Sequence, residues 1–109
     1  GRGYFARAAT MLSKIKSEIE LVSRHLEVIR VVVEHQPIGI MRLSEILGLP
    51  YHRVRYSLRI LEQEGYIRAS PAGAVATPLA ADLLSSLDDE VDELIELLQA
   101  IRKNNSRNV

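Results

Sequence analysis

The chain has 109 residues, 47% hydrophobic and 5% aromatic, with 14 Lys and Arg balanced by 14 Asp and Glu and no cysteine. That length suits a single globular domain over residues 1–109 and leaves no room for a second catalytic or ligand-binding domain. The lack of cysteine excludes disulfides, thiolate nucleophiles, iron–sulfur clusters and Cys-ligated zinc. No run approaches the roughly 18 apolar residues of a membrane span, and the N-terminus lacks a charged-then-apolar leader, so a cytoplasmic protein with no membrane contact is expected.

Residues 4–36 contain no Gly or Pro, and Pro37 stops whatever precedes it, so one long N-terminal helix is expected there. Its apolar residues Phe5, Ala8, Leu12, Ile15, Ile19, Val22, Leu26, Ile29 and Val33 recur in alternating steps of three and four, a heptad seam. Val28, Val31 and Val32 widen the apolar face in the second half, as expected where a helix enters a core.

Residues 37–77 follow a different grammar. Ile38, Gly39 and Ile40 suit a small strand, and Met41–Leu47 a short amphipathic helix with Gly48 as its left-handed C-cap. Leu49 and Pro50 complete a tight turn, after which Tyr51–Glu64 reads as a second helix with Val54, Leu58 and Leu61 on its inner face. Gly65 ends it, and residues 66–70, 71–73 and 74–76 read as strand, turn and return strand. Thr77 is positioned as an N-cap with Pro78 at the first helical position. A C-terminal helix over 78–103 carries a second heptad seam, Ala80, Leu84, Leu87, Val91, Leu94, Leu98 and Ile101, and polar residues 104–109 are expected to fray. At 1.5 Å per residue this helix would be roughly 39 Å long, more than one small domain needs. Both seams therefore call for a partner, met by pairing within the chain or, burying more, by a homodimer through the N- and C-terminal helices.

In order, these elements make a mainly α chain with a small β-wing. The run LSEILGLPYHRVRYSLRILEQEGYI, Leu43–Ile67, resembles the helix-turn-helix of winged-helix transcriptional regulators without insertion or deletion, over about a quarter of the chain. The flanking long helices resemble the MarR-like and ArsR-like regulators of prokaryotic, including archaeal, type in element order. The resemblance implies a winged helix-turn-helix whose terminal helices form a dimerisation bundle or coiled coil. It also implies that the protein binds double-stranded DNA. The cysteine-bearing metal-sensing motif of many ArsR-like proteins is missing, so metal sensing is not implied.

The residues give this a physical basis. With Val54, Leu58 and Leu61 facing inward, Tyr51, His52, Arg53, Arg55, Tyr56 and Arg59 occupy the remaining arc of the second helix, and no acid falls between Glu45 and Glu62. An arginine fork grips a guanine edge or a phosphate. The early residues of such a helix reach bases, which assigns base contact to His52, Arg53, Arg55 and Tyr56, and phosphate contact to Arg59. Arg42 and Arg68 are candidates for DNA backbone contact from the preceding helix and the wing. The alternative is surface solubility, or internal ion pairs such as Arg55 or Arg59 with Glu62. The wing holds no Lys or Arg from Ala69 to Thr77, unlike many wings that put a basic tip into the minor groove.

Charge is polarised along the chain: residues 1–36 and 37–77 each carry a net +2, and residues 78–109 a net −4. That asymmetry favours a polyanion on one side. His25, His35 and His52 share no metal-ligand spacing and read as surface or helix-packing residues. The carboxylates between Asp88 and Glu96 read as a solvated helix face, not a cation site. With no phosphate loop, nucleotide fingerprint or nucleophile elbow, neither an enzyme nor a bound cofactor is expected. The expectation is a homodimeric, sequence-specific regulator, with any small-molecule effector left open. A protein-interaction module in a larger assembly is the alternative, and a chromosome-compacting protein is disfavoured by the zero net charge.

Overall fold

The structure, a computed structural model, describes residues 10–107. Helix α1 spans Met11–His35, α2 Ile40–Leu47, α3 Tyr51–Gln63 and α4 Pro78–Arg107, with strands β1 Ile67–Ser70 and β2 Gly73–Ala76 between α3 and α4. None of the helices is long and apolar enough to cross a membrane.

α1 starts where Thr10 adopts an extended conformation and its Oγ1 accepts the Ser13 N–H at 3.0 Å. α1 therefore starts at Met11, and residues 4–9 of the expected helix, with the first two seam residues Phe5 and Ala8, lie outside the described residues. The wider second half enters the core as expected, with Val28, Ile29 and Val32 buried, while Met11–Glu20 are all exposed.

The strand expected over Ile38–Ile40 does not form. Gly39 caps α2 and Ile40 is its first residue, which leaves Ile38 as a single bridge to Ala74 with N···O distances of 3.1 and 2.8 Å. Three residues before a helix start are too few for a strand, but one is enough to tie the end of α1 to the outer edge of the wing. Gln36 adds to that tie, its Oε1 accepting the Ala76 N–H at 2.8 Å.

Gly48 closes α2 in the left-handed region at φ 65°, its N–H donating to the Ser44 carbonyl at 2.9 Å. Two residues later the Pro50 carbonyl accepts the Arg53 and Val54 N–H groups and α3 begins. β1 and β2 pair antiparallel, Ile67 opposite Ala76 and Arg68 opposite Val75. Thr77 precedes α4, but its hydroxyl donates to the Gly65 carbonyl at 2.6 Å, so it fastens the base of the wing instead of capping the helix. α4 runs through Arg107, beyond the expected end at Lys103, because no Gly or Pro stops it and the Ser106 hydroxyl bonds back to the Arg102 carbonyl.

One core gathers Val28, Ile29 and Val32 of α1, Ile38, Leu43 of α2, Val54 and Leu61 of α3, Ile67 of β1 and Ala80 of α4. Only the start of α4 takes part, and every residue from Asp88 to Arg107 is exposed. The two heptad seams are not paired with each other within the chain: Leu12, Ile15, Ile19 and Val22 on α1, and Val91, Leu94, Leu98 and Ile101 on α4, all stay exposed. The molecule is accordingly elongated, 58 × 36 × 22 Å.

Two substitutions test this packing in opposite directions. Gly73 sits at φ 134°, and a Cβ there would lie 2.6–2.8 Å from Ile38 backbone atoms. Gly73→Ala is expected to lower the unfolding free energy by about 2 kcal/mol or more in urea titration. Ser44 lies in α2, which packs against α3, and its buried Oγ lacks a hydrogen-bond partner, so Ser44→Ala is expected to raise stability by about 1 kcal/mol.

Candidate nucleic-acid interface

α3 is oriented by its inner face. Val54 and Leu61 are buried, Leu58 packs against the same core, and between them Ser57 is fully buried. The opposite arc carries Tyr51, His52, Arg53, Arg55, Tyr56 and Arg59, all exposed. Arg42, in the first turn of α2, and Arg68, on β1, are exposed as well, but from separate elements.

Among the described residues the only ion pair within 4.0 Å joins His35 to Glu34 at 3.9 Å. Neither Arg55 nor Arg59 pairs with Glu62, so the guanidinium groups of α3 are not neutralised by the chain's own acids. Three unpaired cations on one exposed arc make a local positive field on a chain of zero net charge.

The side of this arc nearest α1 holds a cluster that the sequence did not reveal. Arg24 Nε donates to Ser57 Oγ at 3.2 Å, and His25 Nδ1 lies 2.8 Å from the same oxygen. The Arg24 guanidinium stands 6.0 Å from the centre of the Tyr56 ring, a cation–π distance, and the His25 ring lies 6.2 Å from it, tilted by 30°. Burial pushes the His25 pKa down, the Arg24 charge beside it adds to the fall, and the Glu64 carboxylate partly opposes both. The Ser57 hydroxyl has two partners on α1, accepting from Arg24 and bonded to the His25 ring. Tyr56 is thus held against α1, while Arg55 and Arg59 have no partner of this kind.

One signal for this cluster was present in the sequence. Ser57 stands three residues after Val54 and four before Leu61, a small polar residue on an apolar face. Its partners, 32 and 33 residues away, could not be named from that spacing. Beside the cluster a groove of about 480 Å³ runs between α1 and the start of α3, lined by Glu20, Arg24 and Glu27 of α1 and by Arg53 of α3. Among the described residues no group of three His, Asp or Glu side chains is arranged to hold a metal.

A helix-turn-helix built from α2 and α3, a two-stranded wing and long flanking helices define the winged helix-turn-helix fold. Solved structures share it. The chain is similar to a MarR/EmrR family transcriptional regulator from Acinetobacter sp. ADP1, at 18% identity and a TM-score of 0.56 over 90% of this chain and 94% of that one. It is also similar to the activation domain of the phage T4 transcription factor MotA, at 20% identity and a TM-score of 0.52 over 65% of this chain and 78% of that one. A protein of unknown function from Listeria innocua Clip11262 aligns over 99% of this chain and 96% of its own, at 13% identity and a TM-score of 0.52. No family model matches the sequence, and no curated protein does. At these identities the likeness establishes the fold.

The lowered His25 pKa has a thermodynamic sign. The unfolded chain holds the proton more tightly than the folded one, so this contribution to stability is complete above the ordinary histidine pKa of about 6.5 and is lost as pH falls toward the folded value. Thermal melts from pH 7.5 down to 5 should show a falling Tm, and the fall should be shallower in His25→Gln.

Proposed function

We propose that the protein is a DNA-binding transcriptional regulator that acts as a homodimer, with α3 as its recognition helix in the major groove. The observation that carries this reading is the exposed arc of α3, where Arg53, Arg55 and Arg59 stand unpaired among the described residues, just after the tight turn that joins α2 to α3. In the complex, Tyr51, His52, Arg53, Arg55 and Tyr56 face the groove, with Arg53 and Arg55 forking onto guanine edges. Arg59, Arg42 and Arg68 grip phosphates and set the register. Two such helices, related by a two-fold axis, enter successive major grooves about 34 Å apart on a near-palindromic site. Occupying a promoter in this way represses transcription without catalysis, cofactor or metal, and implies a cytoplasmic protein.

The bare wing fits a division of labour in which α3 and the dimer's symmetry supply the affinity, with Arg68 the wing's one basic contact. The same bare wing favours a second reading, a protein-interaction module, as does the likeness to a domain described as an activation domain.

Fluorescence anisotropy against promoter and random-sequence DNA across a salt series separates the two. The expected result is saturable, promoter-preferring binding, weakened at least about thirtyfold in the Arg53→Ala, Arg55→Ala double variant, from the loss of two bidentate contacts at about 1–3 kcal/mol each. If the native protein binds no DNA at low salt, the regulator reading fails and the interaction module takes its place.

A further inference from the structure

The distal part of α4, Asp88–Arg107, projects from the core for about 30 Å with every residue exposed. Along it Val91, Leu94, Ile95, Leu97, Leu98 and Ile101 are between 41% and 62% exposed. A lone helix of this length is marginal in water, and a continuous row of six large apolar side chains on one is a surface that soluble monomers rarely present. Something of matching shape covers it.

The order of residues says what. The six apolar positions are symmetric about Glu96: Val91 and Ile101 lie five residues to either side, Leu94 and Leu98 two, and Ile95 and Leu97 one. Glu96 itself falls on the opposite side of the helix from the seam of Val91, Leu94, Leu98 and Ile101. Charge is asymmetric about the same centre. Asp88, Asp89, Glu90, Asp92 and Glu93 precede it, and Arg102, Lys103 and Arg107 follow it.

A symmetric apolar row with opposite charges at its two ends is complementary to itself when reversed. We infer that two copies of the chain pair through α4 in antiparallel orientation, with the two-fold axis passing beside Glu96. Val91 then packs against the partner's Ile101 and Leu94 against the partner's Leu98, the layers of an antiparallel coiled coil. Asp88, on one flank of the seam, faces the partner's Arg102, and the acidic half of each helix lies along the basic end of the other. A parallel pair would instead align five acids with five acids, a repulsion that the reversed pair turns into attraction. This deepens the homodimer of the proposed function and rests on it for its biological use, because it supplies the two-fold axis that relates the two copies of α3.

The chain has no cysteine, so single introduced thiols report the register directly. In the antiparallel pair, positions 91 and 101 meet across the interface, whereas position 91 lies ten residues from its own copy, about 15 Å along the axis and beyond the roughly 7 Å Cα reach of a disulfide. Val91→Cys and Ile101→Cys proteins, mixed and mildly oxidised, should give a covalent dimer, and each alone should stay uncross-linked. Sedimentation should show the native protein as a dimer at micromolar concentration and Leu94→Asp, Leu98→Asp as a monomer whose winged domain still unfolds cooperatively on heating, since neither leucine contributes to the core.

A native monomer, or a covalent dimer from Val91→Cys alone, overturns the pairing. Neither measurement involves DNA, so the two readings fail separately. A cross-linked dimer that ignores DNA leaves the pairing intact and removes the regulator reading, and a DNA-binding monomer removes the pairing, and the homodimer with it, while leaving DNA binding by α3 intact.

Discussion

Helix α3 is held by Val54 and Leu61 on one side and by the buried hydroxyl of Ser57 between them. Apolar burial alone gives a helix a preferred face but tolerates some rotation about its axis, because side chains of similar volume can slide past one another. A hydrogen-bonded group is less forgiving. Ser57 meets Arg24 and His25 at 3.2 and 2.8 Å, and turning α3 by even a fraction of a residue would leave a buried hydroxyl unsatisfied. The direction in which Arg53, Arg55 and Arg59 point therefore depends on two residues of α1, a helix that contributes no other part of the presented surface. Tyr56 belongs to both sets, packed toward Arg24 and exposed on the arc.

Where the determinants of structure are local, the sequence was legible. Gly48 and Pro50 mark the turn, the spacing of Val54, Leu58 and Leu61 sets the phase of α3, and that phase placed the six polar and basic residues on its outer arc as the structure has them. Terminal residues were less legible, because ends are decided by single contacts. Thr10 starts α1 through one capping bond, and Ile40 joins α2 because Ile38 alone suffices for the bridge to Ala74. Thr77 has the right residue type for a cap, but its hydroxyl bonds to the Gly65 carbonyl twelve residues away. The Arg24–His25–Ser57 cluster was the least legible, since it joins residues more than thirty positions apart and only the place of Ser57 on the apolar face of α3 hints at it. A heptad seam states that a helix needs a neighbour without saying which, so pairing within the chain stayed open until the structure showed both seams exposed.

The molecule also divides its charge by role. Arg53, Arg55 and Arg59 stand on the face that α3 presents, while most acids of α4 lie beyond the core on a helix that is exposed from Asp88 onward. Zero net charge is therefore a sum over two poles. Approach to a polyanion is oriented by such a dipole even when net attraction is small, with the acidic helix turned outward.

Because only the first turns of α4 enter the core, the distal seam is joined to the winged domain by helical phase and nothing else. Each residue added between Leu87 and Val91 would swing the seam by about 100° and push it about 1.5 Å outward, whereas seven residues would nearly restore its direction at a greater distance. The helix acts as a spacer with a built-in angle. The sequence between the core and the seam is thus constrained in length more tightly than in composition, an unusual restriction for residues that lie outside the core.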